Sequence, residues 1–344
     1  MDGLPHLLDL HGALEPKGPG RSQQTLRTAI DCVGVGVHSG QRSRLTLRPA
    51  AAGSGIVFRR SDLGVDIPAR FDHVVDTKLC TVLGLPGRRD AVVGTVEHVM
   101  AALSGMGISN CIVEVDGPEV PILDGSAAPF VFLIECAGIL VQAAPERAIA
   151  IRRPIRVSQG DAFVELRPYA AAPALSITMS IAFADAAIGE QSLALRIASD
   201  SFRRELAAAR TFGRAADVAT LQAHGLALGG SLENAVVVDG ANVLNPGGLR
   251  MAGEFVRHKM LDAVGDLALS GAPLLGRLVA HKSGHALNNR LLRALFADDA
   301  NWAWVSGGTP ASATSGLPLS EGSAGLPSLG SWQERRLPVA AAPV

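Results

Sequence analysis

The stretch from Glu254 to Leu267 constrains the fold more than any other part of the chain. Apolar Phe255, Leu261, Val264 and Leu267 stand among charged residues, and the spacing predicts a single helix. Side chains four apart lie on one helical face, so His258, Asp262 and Asp266 form one polar stripe. Such a stripe has two readings. Either it faces water on a partly exposed helix, or a His and a carboxylate one turn apart reach a common metal ion, as the two His of H-E-x-x-H do. An isolated His-x-x-x-Asp favours the first.

The elements around this helix fall into two halves. A length of 344 residues is itself a prior for two domains. In the first half, strand patterns run over Thr28 to Val37, Arg44 to Pro49, Gly55 to Arg60, Ile67 to Phe71 and Leu79 to Leu83. A helix follows from Thr95, the expected N-cap, to a stop at Gly105 or Gly107. A strand at Asn110 to Val115 and a helix at Ala127 to Ala137 complete the half. Ala143-Ala144-Pro145-Glu146 reads as the boundary. Beyond it come strands at Ile149 to Val157, Ala162 to Arg167 and Leu175 to Ala182, and a helix near Phe202 to Ala209. A variable segment, a strand at Val236 to Val238, the central helix, a strand at Arg277 to His281 and a helix at Ala286 to Ala297 follow. The order repeats, and both central helices carry His-x-Met, at His98-Val99-Met100 and His258-Lys259-Met260. The expected division is a leader over 1–22, domains over 23–142 and 147–305, and a disordered Gly, Pro, Ser and Ala-rich tail over 306–344.

Several function classes are disfavoured. Lys plus Arg number 31 against 32 Asp plus Glu, which gives no electrostatic case for a nucleic-acid partner. Cys32, Cys80, Cys111 and Cys136 are far apart, so neither a zinc ribbon nor a disulfide framework is indicated. Gly34-Val35-Gly36-Val37-His38-Ser39-Gly40 misses the dinucleotide fingerprint, because Ser39 stands at its third glycine. The N-terminus has no signal-peptide pattern, and no apolar run is long enough to span a bilayer. The expectation is a cytoplasmic protein without stable membrane insertion, and a monomer.

Three clusters can carry chemistry: Glu97-His98, His258 with Asp262 and Asp266, and Lys282-Ser283-Gly284-His285. A catalytic zinc site takes three protein ligands and keeps a position open. His98, His258 and Asp262 make such a set, with Glu97 beside it as base, His285 as proton donor and Asp266 to orient His285. Each residue also has a plain reading. His98 suits a core edge, Glu97 a solvated first turn, His285 a helix border and Lys259 the surface.

Longer motifs narrow the choice. Thr95-Val96-Glu97-His98, Asp124-Gly125-Ser126-Ala127, Ala209-Arg210-Thr211-Phe212-Gly213, Glu254 to Asp262 and Lys282 to Asn289 stand in a set order. From about Gln24 to Trp304 the chain resembles the UDP-3-O-acyl-N-acetylglucosamine deacetylases of Gram-negative lipid A synthesis. The resemblance implies an α+β fold of two similar domains, each a β-sheet layer packed on a pair of helices, with the active site between them. It implies one Zn2+, or Fe2+ in the cell, on His98, His258 and Asp262. It assigns Glu97 as general base, His285 as general acid with Asp266 beside it, Thr211 as oxyanion donor, and Lys259 as a substrate-binding or charge-stabilising lysine. Phe212 would lie near the sugar, and Phe183, aligned across a gap, would pack on the uridine. The segment from Arg214 to Leu232, with Leu221, Leu226 and Leu228, would form a passage for the fatty acyl chain of a UDP-sugar substrate.

Two other readings compete. A metal-dependent amidohydrolase acting on another acylated amine would share the cluster. A binding module descended from the enzyme would have lost a ligand or the base, and this sequence retains all of them.

Overall fold

The computed structural model describes residues 21–169 and 174–306. Most of the expected leader and tail lies outside the described residues. Ser22 already opens a strand, Ser22–Leu26, and Ser306 ends another, Trp302–Ser306.

Each half contains two β-hairpins. β1 (Ile30–Val35) pairs antiparallel with β2 (Arg42–Pro49), and β3 (Ile56–Arg60) with β4 (Val65–Pro68). Helix α1 (Glu97–Gly105) follows. Strand β5 (Cys111–Val115) then enters between the hairpins, antiparallel to β2 and parallel to β3, giving the order β1-β2-β5-β3-β4. Its alternation buries Cys111, Val113 and Val115 on one face, as a strand period of two requires. Helix α2 (Ala128–Ala137) closes the half.

The second half repeats this path. Hairpins β6 (Ile155–Gln159) with β7 (Ala162–Arg167), and β8 (Leu175–Ala182) with β9 (Glu190–Arg196), precede helix α3 (Glu254–Ala268). Strand β10 (Leu274–His281) enters between β7 and β8, antiparallel to the first and parallel to the second. Helix α4 (His285–Phe296) follows. The order β6-β7-β10-β8-β9 matches that of the first sheet, so the hint in His-x-Met corresponds to a repeated topology. Arg147–Ile151 pairs with the start of β10 and with Trp302–Ser306, which widens this sheet. Ile139–Pro145 pairs with Ser22–Leu26.

Helices α1 and α3 pack against each other, α2 packs on α1, and α4 on α3. Every residue of α1 except Ser104 is buried, and α3 is buried over most of its length. A helix buried on all sides must satisfy its polar side chains from within. That constraint creates the site. No helix among the described residues is long and apolar enough to cross a membrane.

Local expectations changed in several places. Thr95 does not cap α1: Val96 is at the N-cap with no side-chain bond, and Thr95, at φ 56°, donates its hydroxyl to Glu119. The strand expected from Leu79 begins at Val82, because Leu79 adopts φ 70° and turns the chain. The strand read across Ile149 to Val157 is two, Arg147–Ile151 and Ile155–Gln159. The helix near Phe202 to Ala209 is a short turn, Ser199–Ser201, running into a π-helical turn, Phe202–Leu206.

Candidate metal centre

His98 sits in the first turn of α1, and His258 and Asp262 lie one turn apart on α3. The equivalent helices of the two halves thus supply the three ligand-capable residues. One such atom from each lies within 4.8 Å of the others. Asp262 Oδ1 is 3.3 Å from His258 Nε2 and 3.6 Å from His98 Nε2. The imidazoles meet edge to face with centroids 5.0 Å apart.

All three residues are buried, which overturns the water-facing reading of the stripe. Among the described residues, Asp262 Oδ1 and His98 Nδ1 have no hydrogen-bond partner. A buried polar atom left so costs roughly 1–3 kcal/mol, which a ligated cation removes at the carboxylate oxygen. His258 Nδ1 lies 3.0 Å from the Ala209 carbonyl, a contact that orients Nε2 toward Asp262. Burial pushes the His258 pKa down to about 4, so the ring is in its neutral, ligating form. Burial works against charge on Asp262, yet His258 and Lys259 hold its carboxyl well below the usual range. Two imidazoles and a carboxylate fit a divalent cation of borderline softness.

An acid–base group adjoins this cluster. Glu97 Oε2 accepts the Thr81 N–H at 3.0 Å, and Glu97 Oε1 lies 4.0 Å from His285 Nε2. Burial raises the Glu97 pKa, so this carboxylate is a stronger base than an exposed one. His285 Nδ1 is 2.9 Å from Asp266 Oδ2, which also accepts from Asn288 at 2.8 Å. Burial opposes charge on His285, but Asp266 and then Glu97 outweigh it and raise its pKa to about 9. The imidazolium is therefore the resting form near neutrality.

The other expected residues gather nearby to different degrees. Lys259 is no free surface lysine: its ammonium bonds Asp262 Oδ2 at 2.9 Å. Burial works against its charge, and Asp262 with Asp266 and Glu97 still raises its pKa. Phe212 packs edge-on to His258 at 6.2 Å between centroids, and Phe183 packs on Phe212 at 5.5 Å. This chain of rings brings Phe183 to the site. Thr211 follows the carbonyl that orients His258 by two residues, and its N–H bonds the Gly125 carbonyl at 2.8 Å. In the 214–232 segment, helix Ala215–Ala223 has no buried residue, Leu221 and Leu226 are half-buried, and Leu228 is exposed. Its Leu228 and Gly229 N–H groups bond the carbonyls of His38 and Val37.

Sequence reasoning missed four contributors. Thr81 touches both Glu97 and Asp266. Asn288 lies within the Lys282 to Asn289 motif, which was its one signal. Glu119, buried, accepts from the His38 and Ser39 N–H groups and from the Thr95 hydroxyl. Arg210 forms a buried pair with Glu254 at 2.8 Å, tying the segment before Thr211 to the start of α3.

Residues 23–297 match the family model described as LpxC, UDP-3-O-acyl N-acetylglycosamine deacetylase. The chain is similar to a UDP-3-O-acyl-N-acetylglucosamine deacetylase of Anaeromyxobacter dehalogenans (strain 2CP-C). That protein is 50% identical over 279 residues, covering 81% of this chain and 89% of its own. One of the same description from Myxococcus xanthus (strain DK1622) is 52% identical over 279 residues, 80% of this chain and 87% of its own. Another, from Shewanella violacea, is 46% identical over 289 residues, 83% and 92%.

Proposed function

The chain belongs to the UDP-3-O-acyl N-acetylglycosamine deacetylase family, and from that premise we propose its reaction. It hydrolyses the N-acetyl group of UDP-3-O-(3-hydroxyacyl)-N-acetylglucosamine, releasing acetate, as an early committed step of lipid A biosynthesis in the cytoplasm. His98, His258 and Asp262 hold one divalent cation, Zn2+ or Fe2+. When bound, such a cation polarises a carbonyl and lowers the pKa of water to about 7.

The chain's own residues do the rest. Glu97 takes a proton from the attacking water. The Thr211 hydroxyl donates to the oxyanion that develops as the carbonyl is attacked; losing one such donor typically costs roughly 10²–10³ in turnover. His285, charged at rest, gives its proton to the departing amine, and Asp266 holds the imidazole in place. Glu97 and His285 are 4.0 Å apart, so the proton taken by the first can return to the second and reset the site. Lys259 keeps a positive charge beside Asp262. Phe212 and Phe183 offer ring faces to sugar and uridine, and the 214–232 segment receives the acyl chain.

The observation that carries this reading is the unpartnered Asp262 oxygen between two imidazole nitrogens, with a base and a charged acid directly beside it. The test is acetate release from the purified protein, with acyl length and nucleotide varied and metal content measured. Release from that substrate with one equivalent of metal is expected. No release from it, or equal release from simple acetylated amines, would overturn the substrate assignment.

A further inference from the structure

We propose that Thr81 is a positioning residue that sets the base and the acid in one frame; the inference rests on the roles given above to Glu97 and His285. Its backbone N–H donates to Glu97 Oε2 at 3.0 Å, and its hydroxyl donates to Asp266 Oδ1 at 2.6 Å. One residue thereby touches a carboxylate of α1 and a carboxylate of α3. Each contact takes one oxygen and leaves the other for the chemistry. Glu97 Oε1 faces His285 Nε2, and Asp266 Oδ2 receives His285 Nδ1. Asn288 donates to that same Oδ2, so it does not replace the Thr81 hydroxyl at Oδ1.

The chain leading to Thr81 is built to deliver it. Asp76 accepts the N–H groups of Thr77 and Lys78, which closes a turn. Leu79 then adopts φ 70°, a conformation that a branched side chain holds only when its surroundings impose it. Val96 N–H, one residue before Glu97, donates to the Thr81 carbonyl at 3.4 Å. Thr81 itself is 2% exposed, so its hydroxyl is committed to Asp266 and not shared with solvent. Charge-assisted hydrogen bonds of this kind are the stronger sort, and their loss acts on orientation before it acts on binding.

Two substitutions test this. Thr81→Val keeps the shape and the N–H and removes the hydroxyl; Thr81→Ser keeps both donors. In Thr81→Val, kcat should fall roughly 10–100-fold, the worth of one hydrogen bond to a charged group, with KM and metal content near wild type. Thr81→Ser should stay within about threefold of wild type. Near-normal kcat in Thr81→Val, an equal loss in Thr81→Ser, or a loss that tracks missing metal would overturn the positioning role. A second readout needs no turnover: exchange of the His285 Nδ1 proton with solvent, followed by NMR. It should quicken in Thr81→Val and not in Thr81→Ser, and equal rates in all three proteins would reject the inference. Absence of acetate release by the wild type would instead reject the proposed reaction and leave the exchange result to decide on Thr81.

Discussion

Gly265 of α3 meets the backbone of Glu97 of α1 so closely that a Cβ on Gly265 would lie 2.0 Å from the Glu97 carbonyl oxygen. It would also lie 3.1 Å from the Ala101 nitrogen. Neither atom belongs to a side chain that can swing away. The crossing of the two central helices is therefore fixed by the lack of a side chain at one position, and His98, Glu97, His258, Asp262 and Asp266 all hang from that crossing.

Gly265→Ala should push the helices apart. Overpacking a tight core costs roughly 1–3 kcal/mol, and this clash with backbone belongs at the upper end. The variant should unfold at lower denaturant and bind metal more weakly, because the proposed ligands come from both helices. Denaturation and metal titration check this. Wild-type stability with wild-type metal affinity would show that the crossing can relax.

His98→Ala and His258→Ala should each lose the proposed cation, since each removes one of its three proposed ligands. Metal analysis after dialysis is the measurement. One full equivalent retained by both variants would reject the ligand set. His285→Ala, whose side chain is outside that set, should keep the metal.

How much of this was legible depended on whether a residue's role repeats a local pattern. The α3 stripe was readable because helical spacing alone aligns His258, Asp262 and Asp266. Its burial was not, since α3 has charged residues throughout and is buried because α1, α4, β8, β9 and the Phe202–Leu206 turn pack around it. Thr95 was misread as a cap because a threonine before Glu97-His98 fits the cap pattern, whereas Glu119, far along the chain, takes its hydroxyl. Thr81 had no signal at all. Its importance lies in contacts 16 and 185 residues away, and a threonine inside the strand pattern read over Leu79 to Leu83 looks ordinary. Ile139–Pro145 was missed as a strand because its partner is the first strand of the described residues, more than a hundred positions earlier, and such pairing leaves no local mark. Phe183 was aligned only across a gap, and ring packing through Phe212 to His258 supplies its place.

Acyl-chain preference should respond to the 214–232 segment. Leu226 is half-buried and its N–H bonds the Leu221 carbonyl at 2.9 Å, so bulk added there stays in the segment. Leu226→Trp should lower kcat/KM for long acyl chains more than for short ones. Each methylene that loses burial removes roughly 0.8 kcal/mol, so the penalty should grow with chain length. An equal change at every length would place the passage elsewhere.

The pH dependence follows from opposite requirements on two facing groups. Glu97 must be ionised to accept a proton, so kcat/KM should fall as pH drops through its raised pKa. His285 must be protonated to donate, so kcat/KM should fall as pH rises through about 9. The same shift stabilises the fold: a histidine raised from its unfolded value of about 6.5 contributes fully below that value. That contribution is lost as pH rises through about 9. Asp266→Asn removes the negative charge 2.9 Å from His285 Nδ1. Its basic limb should therefore move to lower pH, with the acidic limb less affected. His285→Ala should lose roughly 10²–10⁴ in turnover, the usual worth of a positioned acid or base. Rate profiles and metal content for the three proteins decide the matter. An unmoved basic limb in Asp266→Asn would reject the pairing as the source of the charge, and near-normal turnover in His285→Ala would reject the acid itself.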